Sequence, residues 1–507
     1  MAKSHRSPAT GSATSTAKPS VSTMRKLKPE DRLSALPDDI LVNILDRLNV
    51  RDTARTSILS RRWSHLSTEL SRLIINAKDF VPEGVSATKI SVEDLVQMNA
   101  VAVEATNSIL TRRNPGEHTI RLLSTTFYLR DEIPISIGHA VGNAILTHNI
   151  EKAEITVLTE KECLQCTDDD MLNYGAQFVS FFNECPNAFT RLTRLCLENL
   201  SFVESDFISN ILDTCKQLKY LGFINCNTEN WITCQVEHAQ LSELSFIECY
   251  FGKIELKWLP RLTRITFECW ICFVELPLSL GHVPLLEVVS LINTALSWHG
   301  MVKLSTLLFG TSVRDLTLDF KCEKIWVQPE CLTKRLESVF HRLSTVNLLS
   351  IPEGYDLTWT MFILEAAPFL KEPYMTVIDH PCEMEMDKEK RVEGLFSEQK
   401  GVEWESPTPN FKHHHLTQLI IFCFECCMVS HVRCVMKAAL NLKDVYLYSS
   451  LACKYCIHLG PRPSTFPFSI KKRASTKKLI TQGMESHAKI HFLGSDKMSD
   501  YHTARIR

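Results

Sequence analysis

One pattern constrains this chain more than any other: from residue 192 onward, apolar-x-x-apolar-x-apolar recurs nine times. The copies read Leu192-Leu195-Leu197, Leu218-Leu221-Phe223, Leu241-Leu244-Phe246, Leu262-Ile265-Phe267, Leu286-Val289-Leu291, Val313-Leu316-Leu318, Leu343-Val346-Leu348, Leu416-Leu419-Ile421 and Leu442-Val445-Leu447. They start 26, 23, 21, 24, 27, 30, 73 and 26 residues apart. The last two apolar positions of each copy are separated by one residue, the alternation of a short strand with one face on a core. A unit of this length cannot bury its own apolar side, so successive units must stack into a quasi-one-dimensional array. A chain of 507 residues has room for such an array and for further modules at its ends.

Motif and spacing resemble leucine-rich repeats, in the irregular form found in plants rather than a regular consensus array. The resemblance implies an α/β fold in which parallel strands build a solenoid. The 73-residue interval holds a degenerate copy at Leu370, Pro373 and Met375, and Pro373, lacking an N–H, is expected to interrupt the sheet there. A weaker copy at Ile150, Ala153, Ile155 and Val157 is expected to lead the array. Before it, residues 91–113 read as a helix, with Leu95, Met98 and Ile109 among its apolar positions, bridging to an N-terminal module. Trp231, Trp258, Trp270 and Trp298 fall near repeat ends, where they either pack or line a recognition face.

That N-terminal module spans Leu33 to Leu73 and opens with Leu36-Pro37-Asp38-Asp39. Proline suits a first helical position, and aspartates complement the positive end of the helix dipole. Ile40, Leu41, Ile44, Leu45 and Leu48 recur at one-turn spacing as one broad apolar stripe. Asn49 and Arg51-Asp52 then begin a second short helix, which leads through Ile58-Leu59 into Ser60-Arg61-Arg62-Trp63 and a third. So small a unit cannot claim all of this apolar surface. The string LPDDILVNILDRLNVRDTARTSILSRRWSHL resembles the F-box in its Leu-Pro opening, Ile-Leu pairs, Arg-Asp corner and Ser-Arg-Arg-Trp close. What the resemblance implies is docking onto a Skp-type adaptor and, through it, a cullin. Its contact candidates are Leu36, Pro37, Ile40, Leu41, Ile44, Leu45 and Leu48, with Trp63 packing the third helix. The plainer reading is a helical cap with these residues as internal core, and Arg61 and Arg62 read as a solvated helix face.

Past the array, residues 379–410 are polar and acidic-rich and read as an exposed insertion. A strand around Leu419–Ile421, a helix over Val432–Leu440 and a strand around Val445–Leu447 follow. Phe411-Lys412-His413, Ala439-Leu440-Asn441-Leu442, Cys453-x-x-Cys456 and Ala488-Lys489-Ile490-His491-Phe492 resemble the FBD segment found after F-boxes in many plant proteins. The chain is thereby identified as a member of the F-box/FBD leucine-rich-repeat family. Its expected organisation is a disordered basic tail at 1–30, the F-box at 31–75, a helical linker at 76–118, the solenoid at 119–378, the acidic insertion at 379–410, an FBD segment at 411–495 completing the array, and a basic tail at 496–507. The resemblance implies the substrate-recognition adaptor of an SCF-type (Skp–cullin–F-box) ubiquitin ligase, with a target protein held on the repeats and no catalytic residue or cofactor.

Charge and cysteine usage narrow the rivals. The formal net charge is -2, and the basic surplus sits at the ends, +5 over residues 1–30 and +6 over 471–507. Nucleic acid is therefore not an expected partner, and Lys471-Lys472-Arg473 with Lys477-Lys478 reads as a nuclear signal, a phosphate patch or a solvated run. No stretch approaches the roughly 18–20 apolar residues of a membrane span, and the first thirty residues lack the apolar core of a signal peptide. Nineteen cysteines then read as thiols of a reducing compartment, cytoplasmic or nuclear. Cys423-x-x-Cys426 with Cys453-x-x-Cys456 is the best metal candidate, but 26 residues separate the pairs where about 15–20 are usual. Cys423 also continues an inward alternation, so no metal is expected. Cys226 and Cys249 read as buried thiols in the slot where repeats place Asn or Cys, His413-His414-His415 as a solvated strand entry, and Asp168-Asp169-Asp170 as an acidic loop. No phosphate-binding glycine loop, serine elbow or His-Glu-x-x-His helix is present. Two rivals remain: a repeat scaffold without ligase activity, and a zinc-containing nucleic-acid binder.

Overall fold

A computed structural model describes residue 33 and residues 35–494, apart from 86–89, 115, 117–118, 131, 204–205, 229–231, 269–275, 294–299, 322–323, 354, 379–410 and 450–463. The tails expected at 1–30 and 496–507, the acidic insertion, Trp231, Trp270, Trp298, Cys453 and Cys456 lie outside the described residues.

Three helices come first, α1 Asp38–Leu45, α2 Val50–Ser57 and α3 Arg61–Leu66. Among the described residues, fourteen parallel strands then form one sheet whose spatial order is the chain order. They are β1 Arg72–Asn76, β2 Leu122–Tyr128, β3 Ala153–Leu158, β4 Leu192–Glu198, β5 Tyr220–Ile224, β6 Glu243–Ile247, β7 Arg264–Glu268, β8 Val288–Ile292, β9 Asp315–Asp319, β10 Thr345–Ile351, β11 Glu372–Val377, β12 Gln418–Phe422, β13 Asp444–Tyr448 and β14 Lys489–Leu493. Each strand adds to the same growing edge, as a repeat array requires. The motif sets the register: Leu195, Leu221, Leu244, Ile265, Val289, Leu316 and Val346 stand in one buried row across seven strands. A slip of one residue would turn any strand's apolar set away from the core.

Repeat length decides what returns the chain to the next strand. Where motif starts lie 21–24 residues apart, the return is extended: Thr233–Glu237, Lys253–Trp258 and Leu278–His282 pair as a second parallel sheet. Where they lie 26–30 apart it is helical, at Phe207–Thr214, Leu304–Leu307, Lys334–Phe340 and Val429–Ala438. A strand covers about 3.3 Å per residue and a helix about 1.5 Å, so a short repeat spans the same return only when extended.

The sheet also starts earlier than the motif suggests. β1 follows α3 closely and pairs with β2, and β2 pairs with β3, which carries the weak copy at Ala153 and Ile155. The expected helix is α4, Val92–Thr111, opened by a capping box between Ser91 and Asp94. It lies within the 76–118 segment expected as a helical linker and returns the chain from β1 to β2. Pro373 does not interrupt the sheet: it pairs with Val346, and pairing with β12 begins one residue later, at Tyr374. Near a strand's start the missing N–H is tolerated.

Asp168-Asp169-Asp170 is not a loop. It forms the first turn of a helix, Asp168–Glu184, with Thr167 and Asp170 in a reciprocal capping box. Hydrogen bonds from Lys161 and then Thr167 hold the Asp170 carboxyl down to about 2. His413, expected in solvent, is buried. Its Nε2 bonds to the Ala367 carbonyl at 2.9 Å, and its Nδ1 accepts the Leu416 N–H at 3.0 Å. His238 makes the same pair of bonds, to the Cys215 carbonyl at 3.0 Å and from the Leu241 N–H at 2.9 Å.

Several strands hand over to a residue in the left-handed region: Asn199 (φ 57°), Asn225 (φ 48°), Glu248 (φ 53°) and Cys423 (φ 55°) follow β4, β5, β6 and β12. Asn tolerates this conformation because its short amide bonds locally. Asn225 Nδ2 donates to Asn199 Oδ1 at 2.7 Å, and Asn199 Nδ2 donates to Thr159 Oγ1 and, at 3.0 Å, to the Lys161 carbonyl. Cys226 and Cys249 sit one residue past this ladder as buried thiols. Cys423 occupies the ladder position itself. The turn breaks its alternation, and it packs with Tyr374, Ile420, Phe422 and Tyr448 rather than in the main core.

Candidate adaptor-docking site

Each helix of the N-terminal module starts on a defined signal. Pro37 precedes α1, whose first turn holds Asp38 and Asp39. Asn49 caps α2 by accepting the Asp52 N–H at 2.8 Å, and Ser60 caps α3 by accepting that of Trp63 at 3.3 Å. The broad stripe of α1 then divides in two. Leu41 and Leu45, one turn apart, point inward and join Trp63, Leu66, Leu70 and Leu73 in the main core. Ile40, Ile44 and Leu48 face out, 42%, 37% and 37% exposed, with Pro37 also exposed at the head of the row. Leu36 lies half-buried against the core.

Of the expected contacts, Leu41 and Leu45 are thus internal, because α3 and the start of the array cover that side of α1, and Trp63 packs α3 into the same core as expected. The sequence reading missed Ile58 and Leu59, which are 83% and 73% exposed between α2 and α3. Two adjacent large aliphatics at a helix end, neither in period with Val50 and Thr53, were the available signal.

Polar contacts make this module rigid. Arg62 is no solvated bystander: its Nε donates to Asp38 at 2.8 Å, and a terminal nitrogen donates to the Leu36 carbonyl at 2.6 Å, tying α3 to the start of α1. The Asp46 carboxylate receives the backbone N–H groups of Ser71 (2.9 Å) and Arg72 (3.1 Å) and the Ser71 hydroxyl (2.6 Å), fixing the end of α1 to β1. Arg51 donates to the Asp79 carbonyl at 2.8 Å, and buried Arg113 to that of Leu70 at 2.7 Å. Burial lowers the Arg113 pKa and Asp46 opposes the shift. The module is therefore braced against the first repeat, with its apolar row left outside.

Comparison with known proteins gives this arrangement its class. Residues 33–74 match the F-box domain model, and residues 146–315 match one described as "FBD-associated F-box protein At5g56370, LRR repeats". Among Arabidopsis thaliana relatives, "Putative F-box protein At3g29830" is 38% identical over 352 residues, 69% of either chain. "Putative F-box/LRR-repeat protein At5g54820" is 37% identical over 257 residues, 47% of this chain and 52% of its own. "FBD-associated F-box protein At5g18780" is 42% identical over 59 residues, 12% and 13%. For several relatives the match spans about half of their length or less. Fold and site together define an F-box joined to a leucine-rich-repeat array. The chain belongs to the F-box/FBD/leucine-rich-repeat family. F-box domains bind Skp-type adaptors, and proteins of this build are typically non-catalytic adaptors. Among the described residues, no helix is long and apolar enough to cross a membrane.

Proposed function

We propose that the chain is the target-recognition subunit of an SCF-type ubiquitin ligase. In this reading Pro37, Ile40, Ile44 and Leu48, together with exposed Ile58 and Leu59, meet a Skp-type adaptor, while Leu41, Leu45 and Trp63 hold α1 in place from within. The repeats hold a target protein, and through adaptor and cullin that target shares a local concentration with the charged ubiquitin carrier. The observation that carries the reading is the outward row of Ile40 and Ile44 on braced α1, continued by Leu48 just past its end, which the described residues leave uncovered. Full burial of such a side chain contributes about 1.5–3 kcal/mol, so covering the roughly two-fifths still exposed contributes about 0.6–1.2 kcal/mol each.

The test is capture of a purified Skp-type adaptor by the full chain. Ile40→Ser/Ile44→Ser should abolish capture and leave the thermal transition unchanged, whereas Leu41→Ala should lower stability by about 2–5 kcal/mol through a core cavity. Failure of the intact chain to capture any adaptor would sink the ligase reading and leave a repeat scaffold.

A further inference from the structure

The segments that follow β10 and β12 enclose, with the end of β11, a cavity of about 360 Å³, within the roughly 300–1,000 Å³ of small-ligand clefts. Glu353, Tyr355 and Asp356 line it from one side, and Glu425, Cys427 and His431 from the other. Three carboxylates line it at separate points, and no Lys or Arg is among the described residues that line it. Asp356 acts electrostatically on His431, and Glu425 and Glu353 on Cys427, so the two sides face one space.

His431 is the second, independent sign. It is 1% exposed, and neither ring nitrogen has a partner among the described residues. An unmade bond at a buried polar atom costs about 1–3 kcal/mol. The fold spends both nitrogens of its structural histidines, since His238 and His413 each bond backbone on both sides. His431 keeps one N–H and one lone pair available to the cavity. Of the carboxylates, Glu425 already receives Ser464 Oγ at 2.6 Å and Thr465, whereas Asp356 receives only the Thr358 N–H at 3.0 Å, leaving most of its acceptor capacity.

A single metal ion does not fit this layout, because no three metal-competent side chains among the described residues are close enough to share one. An elongated organic cation reaches separated acceptors, and an aromatic ring such as Tyr355 favours it further. We propose that this cavity is a subsite for a basic side chain, the guanidinium of an arginine or the ammonium of a lysine, on the protein that the repeats bind. Glu353 and Asp356 meet its charge, and the free lone pair of His431 accepts one N–H. The proposal rests on the repeats being the target-binding part, and it names the chemistry they select.

Cys427, exposed beside the cavity, reports occupancy. On the full chain, its alkylation by iodoacetamide is followed by peptide mass spectrometry, with exposed Cys331 as internal reference. The probes are Nα-acetyl-arginine amide, Nα-acetyl-lysine amide and the neutral isostere Nα-acetyl-citrulline amide. A cationic probe at about ten times its Kd should slow Cys427 roughly tenfold, with Cys331 unchanged and citrulline without effect. Asp356→Asn, which keeps the acceptor for Thr358, and Glu353→Gln should each remove most of that protection. Equal protection by citrulline, protection that survives both substitutions, or none at tens of millimolar probe overturns the proposal. Equal protection by magnesium chloride alone assigns the cavity to an inorganic ion and overturns it too. No adaptor is present in this experiment, so it fails or succeeds independently of adaptor capture.

Discussion

Alanine at Asn199 should loosen the array locally while leaving its far end untouched. The side chain is fully buried at φ 57°, and its amide joins three repeats: Oδ1 to Asn225 Nδ2 at 2.7 Å, Nδ2 to Thr159 and to the Lys161 carbonyl at 3.0 Å. Alanine in the left-handed region costs about 1–2 kcal/mol. The lost amide reduces Asn225 Nδ2 to a 3.8 Å contact with the Met171 sulfur, at about 1–3 kcal/mol for a buried group; the Lys161 carbonyl keeps the Thr159 hydroxyl at 3.1 Å. The sum is about 2–5 kcal/mol for Asn199→Ala. Asn199→Gly loses the same bonds without the φ penalty, so it should be about 1 kcal/mol milder. Because repeats couple mainly to their neighbours, the effect should stay near β3–β5. Hydrogen exchange by mass spectrometry reads this directly: about 3 kcal/mol is roughly a 150-fold rise in exchange, expected in peptides over 192–225 and absent from 345–377. Uniform acceleration along the chain would refute the local coupling, and exchange within twofold of wild type for both variants would refute the ladder itself.

Acid should destabilise the chain below about pH 6.5 through its buried histidines. Burial lowers the pKa of His431 to about 4 and depresses those of His238 and His413, so the folded state holds them neutral while the unfolded chain protonates. Stability is full above pH 6.5 and falls as the pH drops towards about 4, by about 3 kcal/mol for His431. His431→Leu should flatten the slope of melting temperature between pH 7.5 and 5, and an unchanged slope would remove His431 from the account. Gly175 should not tolerate a side chain, since a Cβ there would lie 1.9 Å from the Ser201 carbonyl oxygen. Gly175→Ala must move backbone and should cost about 1–3 kcal/mol, with a denaturation midpoint equal to wild type counting against this close approach.

Strand positions were legible wherever the leucine motif was dense, because period and burial agree there: Leu192 to Leu197 became β4, and Leu442 to Leu447 led into β13. The first repeats were hidden by spacing rather than by composition. Leu70-Leu73-Ile75 and Ile120-Leu123-Thr125 carry nearly the same pattern, yet the starts at 70, 120, 150 and 192 lie 50, 30 and 42 residues apart. Long helices such as α4 fill those intervals, and a search tuned to short repeats passes over them. Helix Ile470–Thr481 was missed for another reason: its lysines read as a charge run, whereas Arg433 on the neighbouring helix satisfies its last carbonyls. At the candidate site, sequence identified the apolar residues of α1 but not which half faces out, since that depends on where α3 and the repeats close over the helix. The cavity around His431 was beyond reach, because Glu353 and His431 lie 78 positions apart and no local pattern links them.

A sheet whose spatial order is its chain order turns sequence position into length. At about 4.8 Å per strand, the thirteen steps from β1 to β14 run about 60 Å. One end of that span is bolted to α1 through Asp46, Ser71 and Arg72. The array is then a graduated arm: cargo gripped near β4 and cargo gripped near β12 would be presented about 40 Å apart relative to whatever α1 seats upon. Gaining or losing a repeat moves the grip in notches of about 5 Å. Which lysines on a cargo come within range would be set as much by where it is held along the arm as by how tightly.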